Sequence, residues 1–145
     1  MRSFAESWQF WALLSAAFAA LTAIFAKVGV EQIGSDFATL LRTVVVLLML
    51  TLLVVASGQW QPLGAVSGKT YSFLILSGVA TGLSWLCYFR ALKIGDAARV
   101  APVDKLSIVL VAIFGVVFLG ERLSSLNWLG VGLIGLGAIL LAIRV

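Results

Sequence analysis

The chain has 145 residues, 62% of them hydrophobic and only 11% charged, with a mean hydropathy of +1.14, values that exclude an ordinary soluble domain. The net charge is +4, but the basic residues stand singly, mostly beside predicted helix ends, which fits positive-inside placement in a membrane and not a nucleic-acid surface. Cys87 is the single cysteine and there is no histidine; this rules out an intrachain disulfide, histidine proton relays and the common zinc sites, so neither metal nor cofactor is expected.

Several apolar runs reach the roughly 20 residues that cross a bilayer as helix. The alternation of a membrane β-barrel is absent, so the predicted class is all-α and polytopic. Arg2, followed by an apolar run through Ala17-Phe18-Ala19, has the outline of a signal peptide. The run continues to Ala26 and meets Lys27, which favours a retained spanning helix.

The first predicted helix covers about 8–28, with Trp8 and Trp11 at the interfacial level and small residues Ala12, Ala16 and Ala20 at four-residue spacing for close helix approach. A short polar loop leads to the second, about 37–57, with Arg42 only a turn or so inside. A guanidinium at that depth either snorkels to the headgroups or does something functional. The segment 58–69 reads as the one extended loop, marked by Trp60, Pro62, Gly64 and Gly68.

The third predicted helix, about 70–92, carries Ser77, Thr81, Ser84 and Tyr88 at spacings of three and four with Trp85 alongside. Such a polar and aromatic stripe either hydrogen-bonds to a neighbouring helix or lines a cavity. Trp85, displaced from the interfacial belt, favours the cavity.

Gly95 and Asp96 read as a helix stop and an N-cap for the fourth predicted helix, about 97–119. Pro102 inside it removes a donor and predicts a kink. Asp104 and Lys105 follow at once. A membrane-embedded acid needs a partner, and the expectation is an interhelical pair of Asp104 with Arg42 or Arg90. Glu121, where the helix dipole disfavours a carboxylate, is expected to be held by Arg122 or by amides opening the next helix. The fifth predicted helix, about 126–143, opens with Trp128 at the interface and carries Gly130, Gly132, Gly135 and Gly137, a bare face suited to packing against another subunit. No internal repeat is visible, so 1–145 reads as one five-helix unit.

The stretch YFRALKIGDAARVAPVDKLSIVLVAIFGVVFLGERLS resembles the signature of the EamA-type unit in the drug/metabolite transporter superfamily. The resemblance implies a secondary transporter whose complete form has ten helices in two inverted five-helix units around a central cavity. A lone unit, resembling the short bacterial and archaeal members, must then find its second half by dimerising, and an antiparallel homodimer in the plasma membrane is implied. Arg2, Lys69 and Arg122 fall on the N-terminal side, against Lys27, Arg90, Lys93, Arg99 and Arg144 opposite, with Arg42 and Lys105 just inside helices there. That bias favours an outside N-terminus and pulls against dual insertion.

The expected small-molecule site comprises Arg42, Thr81, Ser84, Trp85, Tyr88, Arg90, Asp104 and Lys105, with dimer contacts through the glycine-rich fifth helix. Two rival classes stay open: a small membrane protein that packs beside a larger partner without moving anything, and a dual-topology channel. An enzyme is the least supported, because no nucleophile and base, carboxylate pair or metal-ligand spacing can be assembled.

Overall fold

The computed structural model describes residues 7–143; Arg2 and Arg144, which entered the charge count, lie outside them. Among the described residues the regular structure is helical, and five stretches are long and apolar enough to span a bilayer: Trp8–Gly29, Ser35–Ala56, Gly68–Ile94, Ala97–Leu119 and Ser125–Ala142. Each contains at least 18 residues, or about 27 Å at the helical rise, which matches the hydrocarbon core.

Helix α1 is Trp8–Gly29 and α2 is Ser35–Ala56. Asp36 lies in the first turn of α2, where the helix dipole favours an acid. At the other end Gly58 takes φ +65°. The Gly58 amide then donates to the Val55 carbonyl and the Gln59 amide to that of Val54, both at 3.1 Å. This is a Schellman closure, which consumes the last carbonyls of α2.

A single 3-10 turn, Leu63–Ala65, precedes α3, Gly68–Ile94. The Tyr71 hydroxyl donates to the Leu63 carbonyl at 2.8 Å, and the Ser67 hydroxyl caps α3 by accepting from the Thr70 amide at 3.2 Å. Asp96 occupies the N-cap position of the next helix but makes no capping bond with its side chain.

The fourth span is broken. Helix α4 is Ala97–Asp104 and α5 is Ser107–Leu119. Between them the Lys105 amide donates to the Pro102 carbonyl, Leu106 to Val103, Ile108 to Lys105 and Val109 to Leu106, each at 3.0 Å. These three-residue bonds, with Lys105 at φ −72°, ψ −4° and Leu106 at φ −58°, ψ −20°, tighten the chain toward 3-10 geometry. The interruption lies beyond Pro102, on its C-terminal side.

Helix α5 ends at Gly120, whose φ of +70° and ψ of +21° are left-handed. That turn brings the Glu121 amide to the Gly115 carbonyl at 3.1 Å. Helix α6, Ser125–Ala142, is capped by Ser124, whose hydroxyl accepts from the Asn127 amide.

Backbone contacts group the chain into two compact parts, Ala26–Lys93 and the segments on either side of it. In the first, Val30 and Leu92 are fully buried, with Phe89, Ala38 and Thr39 nearly so. In the second, α6 packs against α4 and α5. A methyl placed on Gly135 would meet Val109 of α5 at 3.2 Å, so that glycine lets the two helices approach. Outward faces of the spans remain apolar, as at Leu47, Leu52, Leu83 and Leu133, which is the surface a bilayer solvates.

Candidate substrate site

The α2–α3 hairpin concentrates the polar chemistry of the chain. Arg90, near the end of α3, forks onto Asp36 in the first turn of α2, with Nε to Oδ1 at 3.0 Å and a terminal nitrogen to Oδ2 at 2.7 Å. Such planar two-point pairing fixes geometry as well as charge. Lys27 Nζ donates to the Leu92 carbonyl at 2.8 Å, and Lys93 Nζ donates to the Ile33 carbonyl. Three cations of one membrane side are thus spent on protein oxygens that tie the end of α1, the 30–34 loop and the start of α2 to the end of α3.

Arg42 is held differently. It lies seven residues into α2, about 10 Å along the axis, and is half-buried. Its guanidinium carbon stands 3.9 Å from the centre of a Trp85 ring and 5.7 Å from that of Phe89. Residues 85 and 89 are one helical turn apart, so α3 presents both aromatic faces in one row. Among the described residues no carboxylate pairs with Arg42. A charged side chain at the bilayer centre costs roughly 2.5–3.5 kcal/mol on insertion scales, and a desolvated cation–π contact offsets about 2 kcal/mol. Among the described residues no hydrogen-bond acceptor is recorded for the in-plane N–H donors of the stacked arginine.

On another face of the same two helices runs an open groove of about 370 Å³, lined by Asp36, Thr39, Leu40 and Thr43 of α2 and Val79, Gly82, Leu83 and Leu86 of α3, and not by Arg42 or Trp85. Its hydroxyls are internally satisfied: Thr39 donates to the Ser35 carbonyl at 2.9 Å and Thr43 to that of Thr39 at 2.7 Å. Thr81 likewise donates to Ser77 of its own helix at 2.9 Å. The Thr81 hydroxyl of the predicted stripe therefore turns onto its own backbone, as hydroxyl side chains in helices often do. Thr81 and Ser84 are exposed, while Trp85 and Tyr88 are half-buried.

Asp104 and Lys105 close α4 at the break, and their side chains meet each other at 3.1 Å. The partner of Asp104 is thus its sequence neighbour, where an interhelical arginine was expected, and the partner of Arg90 is Asp36. A residue step of 100° separates neighbours on a regular helix; the tightened turn and the long lysine stem let the two charges converge. Glu121 also departs from expectation. Its carboxylate lies over the buried Gly115, where an added Cβ would come within 2.6 Å of Oε2, and it forms no ion pair with Arg122.

Asp36 was missed by sequence reasoning, which placed it in the loop before the second helix. The available signal was an acid in a first helical turn opposite a cation-rich helix end. Among the described residues no three His, Cys, Asp or Glu side chains gather into a metal-holding group.

Five apolar spans, a charge held inside one of them and a break within another define a polytopic helical membrane protein built like a transporter. The chain belongs to the EamA-like transporter family, whose model matches residues 6–143, and it is accordingly a multi-pass membrane transporter. It is 70% identical over 138 residues, 95% of this chain and 98% of the relative, to a protein of Sinorhizobium sp named "Uncharacterized transporter in cobO 3'region". It is 36% identical over 87 residues, 60% of this chain and 76% of the relative, to the probable 4-amino-4-deoxy-L-arabinose-phosphoundecaprenol flippase subunit ArnE of Aeromonas salmonicida. No solved structure matches the chain.

Proposed function

We propose that this chain is one half of a two-unit secondary transporter for small organic solutes, working as an antiparallel homodimer by alternating access. The observation that carries the reading is the stacked Arg42: a cation inside a span, held on Trp85 at 3.9 Å without a carboxylate, is a substrate-facing arrangement more than a folding device. Thr81, Ser84 and Tyr88 extend the same wall along α3, whereas Arg90, turned about 140° from Trp85, is engaged by Asp36. The broken fourth span, with Asp104 and Lys105 at the discontinuity, resembles the interrupted helices at which transporters hinge and bind. The bare, glycine-bearing face of α6 supplies the contact between units.

The relative named as a flippase subunit supports a second reading of the assembly, in which the other unit is a different EamA-type chain. Cross-linking separates the two. With Cys87 replaced by Ser and Leu133→Cys introduced on the exposed side of α6, the homodimer predicts disulfide-linked pairs of this chain in native membranes. Reporters at the C-terminus should then find it on both sides. Uptake of radiolabelled anionic, cationic and neutral metabolites into proteoliposomes tests transport itself. No uptake under any ion gradient, with stoichiometric co-purification of another membrane protein, would overturn transport in favour of an accessory role.

A further inference from the structure

We infer that Glu121 of one copy pairs with Arg42 of a second, inverted copy, so that the stacked arginine of the candidate site receives its counter-charge from the partner subunit. The inference rests on the antiparallel homodimer proposed above and names a side-chain contact between its two units.

Glu121 is drawn back into the span that it follows. Gly120 turns the chain at φ +70°, and the Glu121 amide donates to the Gly115 carbonyl at 3.1 Å. The side chain folds the same way, since a Cβ added to Gly115 would lie 2.6 Å from Oε2. Gly115 is four residues inside the end of α5, about 6 Å along the axis. The carboxylate therefore lies below the helix end and against its negative pole, where the dipole disfavours it. It is exposed, and the ion pairs among the described residues, Arg90 with Asp36 and Lys105 with Asp104, leave it out. An acid at that depth calls for a cation.

Inversion brings one to it. Successive spans alternate in direction, so α5 ends on the N-terminal side of the membrane and α2 begins on the other. Within one copy Arg42 and Glu121 thus belong to opposite leaflets; turning a second copy over places its Arg42 in the leaflet of the first copy's Glu121. Arg42 lies about 10 Å inside the start of α2 and the carboxylate about 6 Å inside the end of α5, a difference that an arginine side chain spans. The other cations of that side suit the role less well. Lys27, Arg90 and Lys93 donate to protein oxygens, Lys105 holds Asp104, and the exposed Arg99 stands at the very start of α4, where water solvates it. Arg42 meets aromatic faces and, among the described residues, no carboxylate. A two-fold axis makes the contact twice, each copy giving one acid and one base. A carboxylate takes one edge of a guanidinium and leaves further N–H donors for the solute. A parallel dimer cannot form the pair, because its arginine and glutamate stay in opposite leaflets.

Cross-linking between copies tests the contact. Two differently tagged full-length copies on a Cys87→Ser background, one with Arg42→Cys and the other with Glu121→Cys, are co-expressed and treated in native membranes with a short bis-methanethiosulfonate. In the mixed dimer one contact becomes the cysteine pair while the other keeps its native charges. The product carrying both tags should clearly exceed that formed when both copies carry Arg42→Cys or both carry Glu121→Cys. Charge reversal reads the pairing itself. In liposomes, dimer dissociation followed by energy transfer between labelled copies should increase roughly tenfold in Arg42→Glu and in Glu121→Arg, and return toward wild type in the double reversal. Should a reversal not fold, Arg42→Gln and Glu121→Gln give the same cycle, with the double variant no weaker than either single one.

Mixed-tag product no more abundant than the same-site products, or losses that simply add in the double variant, would overturn the pair. Leu133→Cys and energy transfer between wild-type copies read the homodimer separately. Dimers seen by either measure without the mixed-tag product remove only the pair; no energy transfer and no cross-link at any of these positions removes the homodimer and the pair with it.

Discussion

Two glycines on α5 are constrained in different ways, and the difference ranks their substitutions. Gly120 sits at φ +70° with nothing within 4 Å of an added Cβ, so its constraint is conformational. Gly120→Ala should cost roughly 1–2 kcal/mol, the left-handed penalty for an L-residue, and Gly120→Asn less, because asparagine tolerates that region. Gly115 has helical geometry, and its obstruction is Oε2 of Glu121 at 2.6 Å, the tip of a flexible and exposed side chain. Gly115→Ala should therefore cost less than Gly120→Ala, and Glu121→Ala should remove the penalty in the double variant. Thermal denaturation in detergent micelles gives the order; a larger loss at Gly115 would show that the Glu121 carboxylate is fixed in place. The Arg90–Asp36 pair calls for restraint, since both side chains are more than half exposed, at 62% and 56%. Exposed pairs add little stability, so Asp36→Asn should leave the melting midpoint nearly unchanged while freeing the Arg90 fork.

At the scale of elements, the spans were legible in the sequence because a bilayer imposes a length on an apolar run, and no tertiary contact is needed to see it. Partners of charged residues were not. Whether Arg90 faces Asp36 or Asp104 depends on how helices are rotated and paired, and a 100° step per residue is lost in a pattern dominated by leucine and valine. The site of the helix break was half legible. Pro102 announces it, yet a proline ring crowds the carbonyl four residues earlier, whereas the three-residue bonds run from the Pro102 carbonyl to the Val109 amide. It follows that Pro102→Ala should restore the bond to the Ala98 carbonyl while leaving the break in place. Spin labels at Ala98 and Ala112 would test this by pulsed distance measurement, against about 21 Å for a continuous helix. An unchanged distance distribution is expected; a shift to the continuous value would make the proline the sole cause. On α6, a methyl added to Gly135 would stand only 3.2 Å from Val109 of α5, so Gly135→Ala requires the valine to shift and should cost less than Gly135→Val, for which overpacking should cost about 1–3 kcal/mol.

For the whole molecule, the open question of assembly comes down to how the chain inserts. Five spans place the two ends of the chain on opposite sides, so under the antiparallel homodimer proposed above an inverted copy would supply the second half of the transporter. Among the described residues outside the span interiors, Lys69 and Arg122 mark the N-terminal side and Lys27, Arg90, Lys93 and Arg99 the other, which biases insertion toward one orientation. Three of those four are engaged by protein oxygens, so removing them would disturb the hairpin as well as the topology. The loop after α2 offers a cleaner lever. Gln59 and Gln61 are exposed, and Gln59→Lys with Gln61→Lys raises the N-terminal side to four cations against four while leaving every described ion pair intact. A C-terminal reporter active only in the cytoplasm, read beside one active only outside, should show the inverted fraction rising toward equality. Under the antiparallel homodimer, uptake per chain in native vesicles should rise with it, because the scarcer orientation limits the number of complete transporters. If a different chain supplies the second unit, the same substitutions should lower uptake in proportion to the chains inserted the wrong way, and the sign of that change decides between the two assemblies.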